Sequence, residues 1–192
     1  RFADVADLPD GAGARYDVSW NDLVVGQERF VIEVHEDGAR TLHIQQADDP
    51  PQATFKTIRV RLDREGRFDG ATGAVEGPSG HRTWAVDRTR LPQGALLGTG
   101  TISGWWYLRR RFADLEVGSV RKLDYRDSGS LRKVPLTVRR EPGEGDRTIY
   151  SIWLEERDGT FRSRLEFDEQ GWPLELTTEL QQGTVRFRRQ PR

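Results

Sequence analysis

One arginine in this sequence sits inside an apolar stripe, where it either makes a structural pair or meets an anion. The stretch SGWWYLRRRF, residues 103–112, runs two tryptophans, a tyrosine and a leucine into three arginines. At about 100° per residue on a helical wheel, Ile102, Trp105, Trp106, Leu108 and Phe112 share one arc. Tyr107, Arg110 and Arg111 fall on the other side. Arg109 lies inside the apolar arc, where a guanidinium must pair with a carboxylate, stack on an indole or hold an anion at the edge of a cavity. Two readings follow. In one, the stripe is the face by which a helix packs on a sheet, with Arg109 in a structural pair. In the other, the helix lines an opening and Trp106 and Arg109 meet a ligand. As a strand, the same stretch would put Trp105, Tyr107 and Arg109 on one face. A nucleic-acid grip does not fit: three arginines form a short cluster, and the formal net charge is -1.

Other chemistry has weaker support. Facing Val34 with Leu42 across the Asp37–Gly38 turn sets Glu33 opposite His43 and His35 opposite Thr41. Two histidines and a glutamate on neighbouring strands could ligate a metal, but they lack a closed ligand set and sit on a polar, solvated face. No G-x-S-x-G elbow carries a serine nucleophile, and GTGTISG (98–104) is glycine-rich without the lysine of a phosphate loop. Cysteine is absent, which removes thiol catalysis, disulfides and cysteine-zinc sites. The expectation is therefore no catalytic residues, no bound metal and no cofactor.

The elements that position these residues are mostly strands. Turn signals recur along the chain: EDG at 36–38, REG at 64–66, GPSG at 77–80, DEQG at 168–171. Glycine supplies positive φ and Asp holds the turn. Between the turns the pattern alternates. Tyr16, Val18 and Trp20 share a face, as do Phe30, Ile32 and Val34, then Ile58, Val60 and Leu62, and Phe161, Leu165 and Phe167; Val185 and Phe187 repeat the pattern. Charged residues take the opposite faces, as in a sheet covered on one side. Apolar residues make up 35% of the chain and charged residues 32%, which suits strands that keep one face wet. Two hairpins echo one another, RVRLDREGRFDGATGAVEG (59–77) and RLEFDEQGWPLELTTELQQG (164–183). The only long helical signal is about 102–112, with Thr101 or Ser103 as N-cap; a short helical turn is expected at Val5–Leu8.

Three stretches together resemble a known group. ARYDVSWNDLVVGQERFVIEV (14–34), YLRRRFADLEVG (107–118) and SIWLEERDG followed by RSRLEFDEQGWPLEL (151–176) are similar, in order and spacing, to a family of uncharacterised exported bacterial domain-of-unknown-function proteins. Its marks are a Tyr-x-Val-x-Trp hairpin and an aromatic-aromatic-Leu-Arg signature. That family is similar in fold to the lipoprotein carriers LolA and LolB. The resemblance implies a strongly curved antiparallel half-barrel with helix against its concave side and acyl chains in the concavity. By position, Arg109 is the arginine of the Leu-Arg signature, and Gly26 and Gly118 are the pre-strand glycines. No activity comes with the family. The carriers have more helix, and this sequence offers one good helix.

The expectation is one all-β domain over 1–192: a curved antiparallel sheet of about ten strands, half-barrel or open barrel. A first half at about 14–86 is followed by a connection at 87–100, a helix at about 102–112 and a second half at 118–190. The expected function is a non-enzymatic cell-envelope module that binds a lipid or acyl chain. Trp20, Trp105, Trp106, Leu108 and Phe112 line the site and Arg109 serves as anion handle. The alternatives are an envelope protein-interaction module with a filled core, then a hydrolase or metal enzyme. The chain begins at Arg1 and contains no Met, so a processed, exported protein is expected. No apolar run approaches the roughly 20 residues of a membrane-spanning helix, and no nucleic-acid partner is expected.

Overall fold

A computed structural model describes residues 7–49, 53–92, 95–128, 130–143, 145–156 and 159–191. The expected turn at Val5–Leu8 begins outside them. In the first half, β1 (Gly13–Trp20), β2 (Leu23–Val34), β3 (Arg40–Asp48), β4 (Phe55–Leu62), β5 (Phe68–Gly77) and β6 (Gly80–Asp87) follow one another as hairpins. A short strand β7 (Leu96–Gly98) and helix α1 (Ile102–Leu108) come next, with a 3-10 turn at Arg109–Arg111. The second half is β8 (Val120–Asp127), β9 (Lys133–Glu141), β10 (Thr148–Glu156), β11 (Gly159–Phe167), β12 (Pro173–Leu180) and β13 (Gly183–Arg189).

All thirteen strands join one sheet in the order β6-β5-β4-β3-β2-β1-β13-β12-β11-β10-β9-β8-β7. Two meanders meet where the first strand pairs the last, with Val18 opposite Phe187 and Trp20 opposite Val185. Every pairing is antiparallel except β7 with β8. The sheet does not close: β6 and β7 are its two ends. The expectation of about ten strands falls short. Part of the difference is β7, which lies in the expected 87–100 connection. Its three residues are all buried, so it has no alternation to reveal it.

The sheet must curl. Lys56 on β4 and Leu154 on β10 line one cavity, although seven strand spacings separate them in the sheet order. Laid flat, that separation is roughly 34 Å. The alternating apolar residues face the interior this creates: Tyr16, Phe30, Ile32, Leu42, Ile58 and Val60 from the first half, with Val138, Ile152, Leu165 and Phe187 from the second.

The two echoing hairpins use the same turn. Asp63 accepts from the Glu65 and Arg67 amides through Oδ1, and Gly66 donates to the Asp63 carbonyl. Asp168 accepts from the Trp172 amide through Oδ1, and Gly171 donates to the Asp168 carbonyl. Gly66 and Gly171 take φ of 73° and 84°, the left-handed region that a side chain disfavours. Each turn then presents carbonyls to the 3-10 turn at Arg109–Arg111. Arg110 Nη1 donates to the Glu65 and Gly66 oxygens at 3.1 and 2.5 Å, and Arg109 Nη1 donates to the Gly171 oxygen at 3.3 Å.

The helix is shorter than the 102–112 expected and becomes 3-10 at Arg109. Thr101 is its N-cap, accepting from the Gly104 amide at 3.1 Å. The wheel also misplaced Tyr107. Every residue of α1 is buried, because the helix packs against both β12 and the terminal strand β7, and Tyr107 donates its hydroxyl to the Leu97 oxygen at 2.5 Å. Burial pushes the Tyr107 phenol above its ordinary pKa. The expected Val34–Leu42 pairing is off by two. Leu42 faces Ile32, and Val34 faces Arg40. A two-residue shift keeps every side chain on its face, so Glu33 and His43 still meet, His43 Nε2 to Glu33 Oε2 at 2.6 Å. His35 Nε2 likewise reaches Thr41 Oγ1 at 2.7 Å.

Candidate functional site

Two inner-face positions carry charge where the strand pattern calls for apolar residues. β2 buries Gly26, Glu28, Phe30 and Ile32 in alternation, so Glu28 stands on the same face as the core, fully buried. β4 buries Ile58, Val60 and Leu62, and Lys56 is two residues before Ile58 on that face. The register sets Glu28 opposite Gln46 and Gln46 opposite Lys56, one row across β2, β3 and β4.

The plug, residues 96–112, is tied to this row. Glu28 accepts from the backbone amides of Ile102 and Ser103 at 3.3 and 3.0 Å and from the Ser103 hydroxyl. Lys56 Nζ donates to the Thr99 oxygen at 2.6 Å. Thr99 Oγ1 lies 2.8 Å from Thr101 Oγ1. A Cβ on Gly104 would overlap Thr99 Oγ1, so glycine lets the helix lie this close to the residue that follows β7. Burial pushes the Glu28 carboxyl up to about 7, and its bonds to Ser103 and the charge of Lys56 act against that rise. Burial holds Lys56 below its ordinary pKa, opposed by Glu28, Asp48 and Asp127.

Beside this row lies an open cavity of about 500 Å³. Its apolar wall is Trp105 from the plug with Leu154, Phe161, Leu176, Val185 and Phe187 from β10 to β13. Its polar wall is Gln46, Lys56, Asp127 and Ser128, with Thr99 and Gly100 of the plug. Ser163 and Thr178 hydrogen-bond one another at 2.9 Å in the lining. An apolar concavity with a few convergent polar groups is the common form of a small-ligand site. A hollow of about 560 Å³ over β3 to β6 is lined by short side chains such as Thr57, Thr72 and Thr83, with Ile44, Ile58 and Trp84 as its larger apolar groups.

The sequence-expected site residues part company here. Trp105 lines the cavity and stacks on Tyr125, ring centroids 5.7 Å apart. Trp106 is 2% exposed and packs between Phe30 and Trp172 at 4.9 and 4.8 Å. Leu108 and Phe112 are buried, Phe112 edge-on to Tyr150 at 4.9 Å. Trp20 is half-buried at the end of β1, next to Val185 and outside the cavity lining. Arg109 stands over the Phe167 ring at 4.6 Å. Burial lowers its pKa, while Tyr150 and Asp168 favour its charged form. Glu28 and Lys56 were missed. Extending the Phe30–Ile32 and Ile58–Val60–Leu62 alternation back by two residues finds both.

Among the described residues, no group of three or more His, Cys, Asp or Glu side chains is placed to hold a metal ion. No helix among the described residues is long and apolar enough to cross a membrane.

The fold defines a class before it defines a protein: an all-β, barrel-like sheet that stays open and carries one buried helical plug. Two solved structures are similar to it in overall fold. One is a DUF1089 family protein from Pseudomonas aeruginosa, 19% identical, with a TM-score of 0.52 over 81% of this chain and 90% of that one. The other is a beta-barrel-like protein of domain of unknown function DUF1849 from Brucella abortus, 12% identical, with a TM-score of 0.50 over 93% and 94%. At such identities the likeness shows the fold alone. No family model matches the chain, and no curated protein matches it.

Proposed function

We propose that this chain is a non-enzymatic binding module of the cell envelope that takes one lipid or acyl chain into the cavity beside its plug. The observation that carries this is the pairing of an apolar wall, from Trp105 to Phe187, with a half-buried lysine in one cavity of about 500 Å³. Apolar burial at roughly 25 cal/mol per Å² supplies the affinity for a tail, and a few polar groups orient the head. The resemblance to the exported family supports an envelope location and a half-barrel of the LolA type, with acyl chains in the concavity. The anion handle moves from Arg109 to Lys56. Arg109 is packed on Phe167 and bonded to a backbone carbonyl, whereas Lys56 lines the cavity.

Native mass spectrometry of freshly purified protein tests the reading. It expects a co-purified lipid or uptake of an offered acyl chain, and loss of that uptake in Val185→Trp, which fills the cavity. A bare mass that stays bare when chains are offered removes it. A second reading, an interaction module with a filled core, draws on Trp106, Phe112 and Trp172, which fill the rest of the interior. It expects Val185→Trp to change nothing but stability.

A further inference from the structure

Among the described residues, the cavity lining holds one cation and one anion, Lys56 and Asp127. They feel each other electrostatically, yet among the described residues Lys56 has no carboxylate partner within 4 Å and bonds instead to the neutral oxygen of Thr99. The neighbouring carboxylates are engaged elsewhere. Glu28 is held by Ile102 and Ser103, and Asp48 Oδ1 accepts from Gln46 Nε2 at 3.0 Å; neither lines the cavity. Asp127 gives Oδ1 to the Ser130 amide and hydroxyl, both at 2.8 Å.

Their depths differ. Lys56 is half-buried on the inner face of β4, and Asp127 is exposed at the end of β8. A ligand whose tail lies on the apolar wall therefore meets the ammonium first and the carboxylate nearer to solvent. A head with a single charge answers one of these groups and sets its like against the other. A neutral head answers neither, although it still displaces their water. A head with both charges in the matching order answers both, and charge-assisted bonds are the stronger kind.

We propose that this site selects amphiphiles whose head carries an anion next to the tail and a cation beyond it, as in phosphocholine and phosphoethanolamine heads, with Lys56 holding the phosphate and Asp127 the ammonium. The assignment rests on the acyl-binding reading above and adds the head group to it.

Isothermal titration of the full chain tests it, with single-chain probes of one tail length kept below their micelle-forming concentrations. The probes are dodecylphosphocholine, a dodecyl carboxybetaine with the charge order reversed, dodecyl phosphate, dodecyltrimethylammonium and dodecanol. Dodecylphosphocholine is expected to bind tightest, by about tenfold over dodecanol, the scale of one good charge pairing. The reversed betaine is expected to trail it. Lys56→Gln weakens dodecyl phosphate and strengthens dodecyltrimethylammonium; Asp127→Asn does the opposite. If all five probes bind alike, or the reversed betaine matches dodecylphosphocholine, the head-group assignment is overturned and the acyl site stands. If no probe binds, the acyl site falls and this assignment with it. The probe series on the unsubstituted chain decides the matter even if a variant fails to fold.

Discussion

The interior has two ends, and each holds a cation. β10 and β11 run between them, carrying Tyr150 and Phe167 at one end and Leu154 and Phe161 at the other. At the first end Arg109 is enclosed by aromatic rings and turn carbonyls. Its charge is answered by the Phe167 face, the Gly171 oxygen and the fields of Tyr150 and Asp168. At the second end Lys56 has a backbone carbonyl, three nearby carboxylates and an open cavity. The same helix separates the two, with Trp106 turned to the packed centre and Trp105 to the cavity. The lesson concerns surroundings: a cation is enclosed where packing is complete, and borders open space where one side is not. Arginine, planar and stackable, suits the first place, and flexible lysine suits the second.

The sharpest way to break this contrast is at the two tryptophans. Trp106→Ala removes a side chain enclosed on all sides and is expected to cost about 3–5 kcal/mol in chemical denaturation. Trp105→Ala is expected to cost less, since one side borders open space, and to weaken acyl uptake. Equal losses from the two would erase the distinction between centre and cavity.

Glu28 provides a pH test of the joint between the ends. Its folded carboxyl titrates near 7 against an ordinary 4.5, so the folded chain holds a proton that the unfolded chain releases. Its contribution to stability is full below about pH 4.5, falls as pH rises through 7 and is flat above that. The loss amounts to about 3 kcal/mol at 1.36 kcal/mol per pH unit of displacement. Urea midpoints at successive pH values read it. Glu28→Gln is expected to remove this component, and an unchanged pH profile in that variant would assign the slope elsewhere.

Arg109→Met sharpens the comparison from the packed end. The exchange gives up the ring contact and the Gly171 bond but relieves a buried charge. Stability is expected to change by no more than about 1–2 kcal/mol, with acyl uptake intact. A loss of uptake at native stability would return the anion handle to Arg109. The smallest effect is at the helix start: Thr101→Ala removes the cap on Gly104 and is expected to cost about 1 kcal/mol in thermal or urea unfolding.

Much of the sheet was legible because a half-wet strand writes its face into alternate residues, as Ile58, Val60 and Leu62 do. The turns were legible because Asp and glycine answer a local demand, the same at Asp63–Gly66 and Asp168–Gly171. Thr101 as N-cap is local too. The register of β2 on β3 was not, since a two-residue slip leaves both faces unchanged. β7 escaped because a strand buried on both faces does not alternate.

The candidate site divides along the same line. By itself the sequence determined an all-β chain with one aromatic helix bearing an arginine in its apolar arc, because those features arise from neighbours within a few residues. Only the tertiary structure decided that the helix is enclosed on every side, that Trp105 and Trp106 have different surroundings, and that Arg109 finds a ring. It also decided that Glu28, Gln46 and Lys56 form one row beside a cavity walled by strands from the other half of the chain. Those outcomes depend on pairing β1 with β13 and on curling thirteen strands around one plug, and no short stretch of sequence encodes which distant surface will face it.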